Sequence, residues 1–246
     1  MCIMLCIMAT SLTWSQEFHV ASGGLVTITP EAYVYSVANV TVDAAGDIVA
    51  ESDDTDSASL ISAANIVGDV TYKRHIGGAA DAGTIGTNWH LVSAPVGTED
   101  IATFAAVAAN EVSVSGTKHA IAYYKNDNAP FNTHTEEDGR WVYYTTTFSE
   151  NFVRGEGYST HRESNGVYTF KGAVDNAAVS VPMVSVSGAH FWFCVGNPYP
   201  SFLSTTAVFN DNAANLDAVD YQALYVWDGT QYLPKNLATP GEYLAP

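Results

Sequence analysis

The chain has 246 residues and a mass of 26.2 kDa, enough for one large or two small domains with cores of their own. Nine Lys and Arg stand against 26 Asp and Glu, a net charge of -17 that opposes anionic membrane surfaces and excludes nucleic acid as a partner. With 47% apolar and only 14% charged residues, it is neither a disordered acidic tail nor a staple-dependent miniprotein.

Residues 1–9 are apolar and lead into Ser11, Thr13, Trp14, Ser15 and Gln16. This is the pattern of a secretory signal peptide over residues 1–16, although no Lys or Arg precedes the run; a buried N-terminal strand is the competing reading. The run is too short for a stable bilayer span, so the exported chain keeps no membrane span and is expected to be secreted or on the outer cell surface. Cys2 and Cys6 leave with the signal, and Cys194, flanked by Phe193 and Val195, reads as a buried, inert thiol.

Residues 17–85 form a β-rich segment of short runs at 25–29, 40–42, 48–50, 60–62 and 67–76, separated by Gly, Asp and Ser. Alternation in Val40-Thr41-Val42 and Val70-Thr71-Tyr72 gives strands with one buried face. Such rungs stack as a small solenoid or lie as one sheet of a sandwich, and the local pattern serves both.

An internal repeat follows, dividing the rest into units at 86–188 and 189–246. Trp89-His90-Leu91-Val92-Ser93-Ala94-Pro95 matches Trp192-Phe193-Cys194-Val195-Gly196-Asn197-Pro198 at an offset of 103 residues, and the same offset pairs Ile121-Ala122-Tyr123-Tyr124 with Leu224-Tyr225-Val226-Trp227. After the first anchor, Thr98 is the expected N-cap of the one substantial helix, with Glu99 and Asp100 in its first turn and Ile101, Phe104, Ala105 and Ala108 on one face. Residues 202–209 are a weaker helix, because Ser204, Thr205 and Thr206 lower its propensity. Asp138-Gly139 and Asp228-Gly229 mark tight hairpins beside aromatic strands. The first unit continues through 152–158 into strands expected at 167–171 and 178–186. The second reaches Tyr243-Leu244-Ala245-Pro246 and stops, so this reading expects an unpaired sheet edge met by further sequence or a partner strand.

Val70-Thr71-Tyr72-Lys73-Arg74, residues 89–95, residues 152–158, Val195-Gly196-Asn197-Pro198-Tyr199-Pro200-Ser201 and Tyr225-Val226-Trp227-Asp228-Gly229 together resemble a region common in large secreted proteins of Bacteroidetes. The likeness covers about 67–246, and the Val-Gly-Asn-Pro-Tyr-Pro-Ser heptad is its most specific part. In that family the region commonly lies just ahead of a type IX secretion sorting domain. The resemblance implies export and surface association and implies no catalytic residues.

The residues themselves assemble no enzyme signature. The seven His are scattered. Glu51, Asp53, Asp54 and Asp56 are the densest oxygen cluster and the candidate Ca²⁺ ligands, without the Gly and distal Glu of an EF-hand loop; no other cofactor is expected. Glu136, Glu137 and Asp138 sit at a hairpin turn, as solvent-facing charges do, and Gly155-Glu156-Gly157-Tyr158-Ser159 is no nucleophile elbow. Adjacent Tyr123-Tyr124 and Tyr143-Tyr144 must each turn one ring outward on a strand. The candidate glycan platform is therefore Tyr124, Trp141, Tyr143 and Trp227, with Asn126 and Asp127 for hydroxyls, while Trp89 and Trp192 read as core. Asp56-Ser57-Ala58 resembles a short Bacteroidetes O-glycosylation acceptor. The expectation is an all-β exported protein: a β-rich N-terminal segment, then two pseudo-repeated sandwich-like units with one or two short helices. Its expected role is a non-catalytic surface or adhesin-like module facing an extracellular glycan or protein; a carbohydrate-binding module and a glycan-processing enzyme fragment are the alternatives.

Overall fold

A computed structural model describes residues 17–77, 89–125, 140–183, 192–216, 223–228, 231–238 and 242–245. Residues 1–16, where a signal peptide is expected, lie outside them. The protein is all-β: strands dominate, with two short α-helices among the described residues.

The N-terminal segment is a three-sided parallel solenoid. Its first turn is β1 (Phe18–Val20), β2 (Leu25–Ile28) and β3 (Tyr33–Ser36); its second is β4 (Val40–Val42), β5 (Asp47–Ala50) and β6 (Ser59–Ser62); β7 (Ile66–Val67) and β8 (Asp69–Ile76) begin a third. Each strand pairs in parallel with its counterpart one turn on, as in Phe18↔Val40, Leu25↔Asp47 and Tyr33↔Ser59. This pairing resolves the alternative the local pattern left open. Alternation sends Val20, Val40, Val42, Ile48, Ala50, Leu60, Val70 and Tyr72 inward to one buried stack.

Turn lengths explain the uneven repeat. Pairing steps by 22 residues at Leu25↔Asp47 and by 26 at Tyr33↔Ser59, so the second turn carries four extra residues before β6. These fall within the acidic stretch, which leaves the solenoid as a small loop closed by an antiparallel Ser52↔Ser57 bridge. The step returns from 26 at Val40↔Ile66 to 22 at Val49↔Thr71 by tightening the corner before β8. Gly68 makes that corner at φ 98°, where a Cβ would lie 2.1 Å from the Val42 carbonyl oxygen.

The first unit comprises β9 (Trp89–Val92), α1 (Ile101–Ala106), β10 (Val114–Ser115), β11 (Lys118–Tyr124), β12 (Trp141–Thr145), β13 (Tyr158–His161) and β14 (Gly166–Ala173). One antiparallel sheet runs β9-β13-β11-β12, with β10 hairpinned onto β11. β14 leaves that sheet and pairs antiparallel with β8 along eight residues, from Gly166↔Ile76 to Ala173↔Asp69. The solenoid and the first unit thereby share one hydrophobic core. Phe104 of α1 lies at its aromatic centre, stacked on Phe170 at 4.7 Å and edge-on to Phe152 and Tyr168, both at 5.2 Å.

The exposed edge of β14 is closed by side chains. Asn110, fully buried in the 3₁₀ turn after α1, accepts from the Thr169 amide at 2.8 Å and donates to the Thr169 carbonyl at 3.4 Å. Glu99 accepts from the Lys171 amide at 3.1 Å, and the Gly97 amide donates to the Ala173 carbonyl. A strand edge that would otherwise invite pairing is satisfied this way.

This arrangement corrects the expected helix start. Asp100, not Thr98, is the N-cap: its carboxylate accepts from the Thr103 amide at 2.7 Å and from Ser149 Oγ at 2.6 Å. Thr98 stands two residues earlier at φ 63°, in the turn that delivers Glu99 to β14.

The second unit comprises β15 (Leu203–Ser204), α2 (Thr205–Asn212), β16 (Leu224–Trp227), β17 (Tyr232–Lys235) and β18 (Tyr243–Leu244). α2, expected to be the weaker helix, is the longer one, because Ser204 is its N-cap and accepts from the Ala207 amide. The two units correspond in geometry. Hairpin β11–β12 opposes Tyr124 to Trp141, and hairpin β16–β17 opposes Trp227 to Tyr232. In each, the residue before the helix bridges back to the chain beyond the hairpin, as Asp100↔Asn151 and Ser204↔Tyr243. Two expectations fail. Residues 178–183 form no strand, and Trp192, expected in the core, is 41% exposed.

Candidate functional site

The register of the first-unit sheet sorts its aromatics. Tyr124↔Trp141 and Ala122↔Tyr143 place Tyr124, Trp141 and Tyr143 on the outer face, while Tyr123 and Tyr144 turn to the core and meet at 5.6 Å. Pairing through β13 adds Trp89 and His161 to the outer face, directly opposite each other. Tyr124 meets Trp141 at 5.2 Å, and Trp89 meets Tyr143 at 5.8 Å and His161 at 5.4 Å. The Lys118 ammonium lies 5.8 Å from the Tyr143 ring centroid. From the second unit, Trp227 donates its indole N–H to the Trp89 carbonyl. The structure therefore gathers Tyr124, Trp141 and Tyr143 and ties Trp227 to the backbone of Trp89 on the same sheet, each of the four partly exposed. Asn126 and Asp127 lie outside the described residues. Trp89, read as core, belongs to this face; its place was legible only through the register with β13, which one strand's sequence does not carry.

A shallow cleft of about 200 Å³ opens where β11 ends, lined by Tyr123, Tyr124, Phe193, Cys194 and one carboxylate, that of Glu156. It is smaller than the roughly 300–1,000 Å³ pockets that enclose drug-sized ligands. Burial, reinforced by Glu156, pushes the thiol of the half-buried Cys194 up to about 12, which favours its protonated form at neutral pH.

The candidate Ca²⁺ set is not assembled. Asp53 folds its carboxylate into its own turn, accepting from the Thr55 amide, the Thr55 hydroxyl and the Asp56 amide at 2.8–2.9 Å. Glu51 is held by Lys73 at 3.0 Å. No group of three or more potential metal-ligating side chains converges among the described residues. The acids instead shape the four-residue insertion. Ser57, the residue of the O-glycosylation reading, lies in the same loop at 2% exposure, within 3.0 Å of Ser52 Oγ and accepting from Arg74, a placement that disfavours a bulky modification.

The heptad that carried the resemblance is an internal clasp. Asn197, 3% exposed, accepts from the Tyr199 amide and donates to the carbonyls of Ser201 and Leu244. Its own carbonyl accepts from Ser93, and that of Pro200 accepts from the Leu60 amide of the solenoid. Tyr199 donates its hydroxyl to the Ala177 carbonyl beneath the Arg154 guanidinium. These contacts join the second unit to the first and to the solenoid.

Several of the shifted titratable groups lie in the core or at a strand edge. Burial raises Tyr72 and Tyr168 to about 12 and drives Tyr144 and Tyr158 higher, all within the core. Burial raises Glu99 to about 8, but that carboxyl is engaged at the β14 edge. His90 and His161 are lowered by burial. Glu136, Glu137 and Asp138 lie outside the described residues. No helix among the described residues is long and apolar enough to cross a membrane.

Fold and site together define an all-β protein in which a three-sided solenoid continues into sheet units carrying aromatic outer faces. The chain belongs to a family described as a domain of unknown function (DUF8693), whose model matches residues 4–241 and so runs through the solenoid and both units. No curated protein and no solved structure matches the chain.

Proposed function

We propose that this protein is an exported, non-catalytic surface module of adhesin-like character, acting as a structural and interaction element. The carrying observation is the aromatic outer face of the β9-β13-β11-β12 sheet, held on a core that the β8–β14 ladder shares with the solenoid in an acidic protein. Several of the few basic side chains support this reading, because they are spent on internal ties. Arg162, buried, binds Glu111 and the Ala109 carbonyl; Arg154 binds Asp175; Lys73 binds Glu51. Export follows from the leader-like first 16 residues and from the resemblance to type IX cargo. Protease treatment of intact producing cells should shave the protein from the surface, and the purified chain should turn over no member of a polysaccharide panel. Protection in intact cells removes the surface role, and turnover removes the non-catalytic one.

A second reading is favoured by one arrangement, the outer-face grouping of Tyr124, Trp141, Tyr143 and Trp89. Such rings have the chemistry of a sugar-stacking platform, apolar on the face and able to hydrogen-bond at the edge. On this reading the module binds carbohydrate without cleaving it. Trp141→Ala should abolish glycan-array binding while leaving the circular dichroism spectrum unchanged.

A further inference from the structure

The second unit carries aromatic rings that the first-unit platform does not account for. In hairpin β16–β17 the pairs Tyr225↔Pro234 and Trp227↔Tyr232 place all four residues on one face. Tyr225 is 37% and Tyr232 53% exposed, and the similarly exposed Trp192 stands edge-on to Tyr225 at 5.1 Å. Trp227 meets Tyr232 at 4.9 Å and bonds the Trp89 carbonyl, while the Trp89 ring touches Tyr143. A chain of contacts thus carries the first-unit platform into the second unit. Tyr225 and Trp227, two residues apart on one strand, stand about 7 Å from each other along it.

We infer that these two faces form one extended binding strip for a linear, uncharged polysaccharide, with the second-unit hairpin supplying the outer subsites. This inference rests on the carbohydrate-binding reading and extends it from one unit to two. Three observations select the occupant. The strip is built of aromatic rings flanked by charges of both signs, the Lys118 ammonium over Tyr143 and the Glu156 carboxylate in the cleft beside Tyr124, in a chain whose acids outnumber bases 26 to 9. That charge disfavours acidic polymers such as uronans or nucleic acid. A neutral glycan presents apolar ring faces to the aromatics and hydroxyls to their rims, and a surface strip, unlike an enclosing pocket, lets a polymer run through without offering an end.

The test is calorimetric titration of the full chain with neutral oligosaccharides of two to six sugars, drawn from β-glucan, mannan, xylan and N-acetylglucosamine series. The six-sugar member of the recognised series should bind about tenfold or more tighter than the two-sugar member. Tyr225→Ala and Tyr232→Ala should each erase most of that gain while leaving two-sugar binding in place; Trp141→Ala should weaken both. Both tyrosines are exposed, so thermal melting confirms that the variants remain folded. Hexamer binding no tighter than dimer binding overturns the inference. So does full hexamer affinity in both tyrosine variants when Trp141→Ala has lost it, an outcome that leaves the single-unit glycan reading standing. Absence of binding to every neutral series removes that reading and this extension together.

Discussion

The two units use the same plan, with Tyr124 and Trp227 both on the outer face, but differ in what lies beneath it. In the first, hairpin β11–β12 lies beside β13, and the chain crosses to β14, so the inward rings Tyr123, Tyr144 and Tyr158 meet Phe104, Phe152 and Phe170 across a closed core. In the second, hairpin β16–β17 pairs with no further strand among the described residues, and its aromatics stay at the surface. The shared hairpin register therefore sets the outward ring alike in both units, while the closed aromatic core belongs to the first, where β13, α1 and β14 lie against the hairpin's inner face.

The sharpest way to break the comparison is to empty each unit's helix anchor. Phe104 and Phe209 are both buried, one on each helix. Phe104→Ala removes a ring packed against three other aromatic rings and should cost about 3–5 kcal/mol. Phe209 already borders an open cleft of about 280 Å³ with Leu216 and Leu237, so Phe209→Ala adds space to a site that solvent partly reaches and should cost clearly less. Urea unfolding of both variants checks the order, and equal losses would mean that the second unit is as tightly packed as the first.

A smaller effect is expected at the β14 edge. Asn110 is fully buried and replaces a neighbouring strand by bonding both the amide and the carbonyl of Thr169. Asn110→Ala orphans both groups and should destabilise by about 1–3 kcal/mol. Asn110→Asp retains only the acceptor and buries a charge, so it should be at least as damaging at neutral pH. Hydrogen exchange should localise the loss to the Thr169 amide.

Much of this architecture is readable from local pattern. Alternation in Val40-Thr41-Val42 fixes strand and inward face alike, and the doubled tyrosines require one outward ring each, which the register confirms for Tyr124 and Tyr143. Solenoid pairing was not readable, because the partner of Val40 is Ile66, and a run's own sequence does not say which run lies beside it. The acidic stretch misled for a related reason. Ligand-like density of carboxylates and a four-residue insertion share one composition, and only the Ser52↔Ser57 closure separates them. Glu99 and Asn110 were illegible as edge caps, since they act on residues 72 and 59 positions away.

Glu99 gives a finer contrast, in pH. Burial holds its carboxyl up to about 8, against an ordinary value of 4.5, so the folded state binds this proton more tightly than the unfolded chain. The stability it contributes is complete below about pH 4.5 and is lost as pH rises through 8. Glu99→Gln keeps an acceptor for the Lys171 amide without that titration, so the variant should gain melting temperature over the parent as pH rises from 5 to 8.5. His90 and His161 work the other way: lowered by burial, they withdraw stability as pH falls below 6.5, equally in parent and variant. The difference between the two melting curves therefore isolates Glu99, and a pH-independent difference would place its carboxyl in solvent.

The smallest effect belongs to the surface that the second unit leaves open. Tyr225 and Tyr232 project from the β16–β17 face, and Tyr232 is about half exposed. Truncating either to Ala should shift stability by no more than about 0.5–1 kcal/mol, because an exposed ring gives up only cross-strand contact. Trp89→Ala on the first unit should cost more, since its ring is held between Tyr143 and His161 and its strand is paired along β13. Guanidinium titrations of the three variants measure this gradient. A large loss at Tyr232 would mean that its ring braces the fold, and the second unit would then be built around its aromatics as the first is.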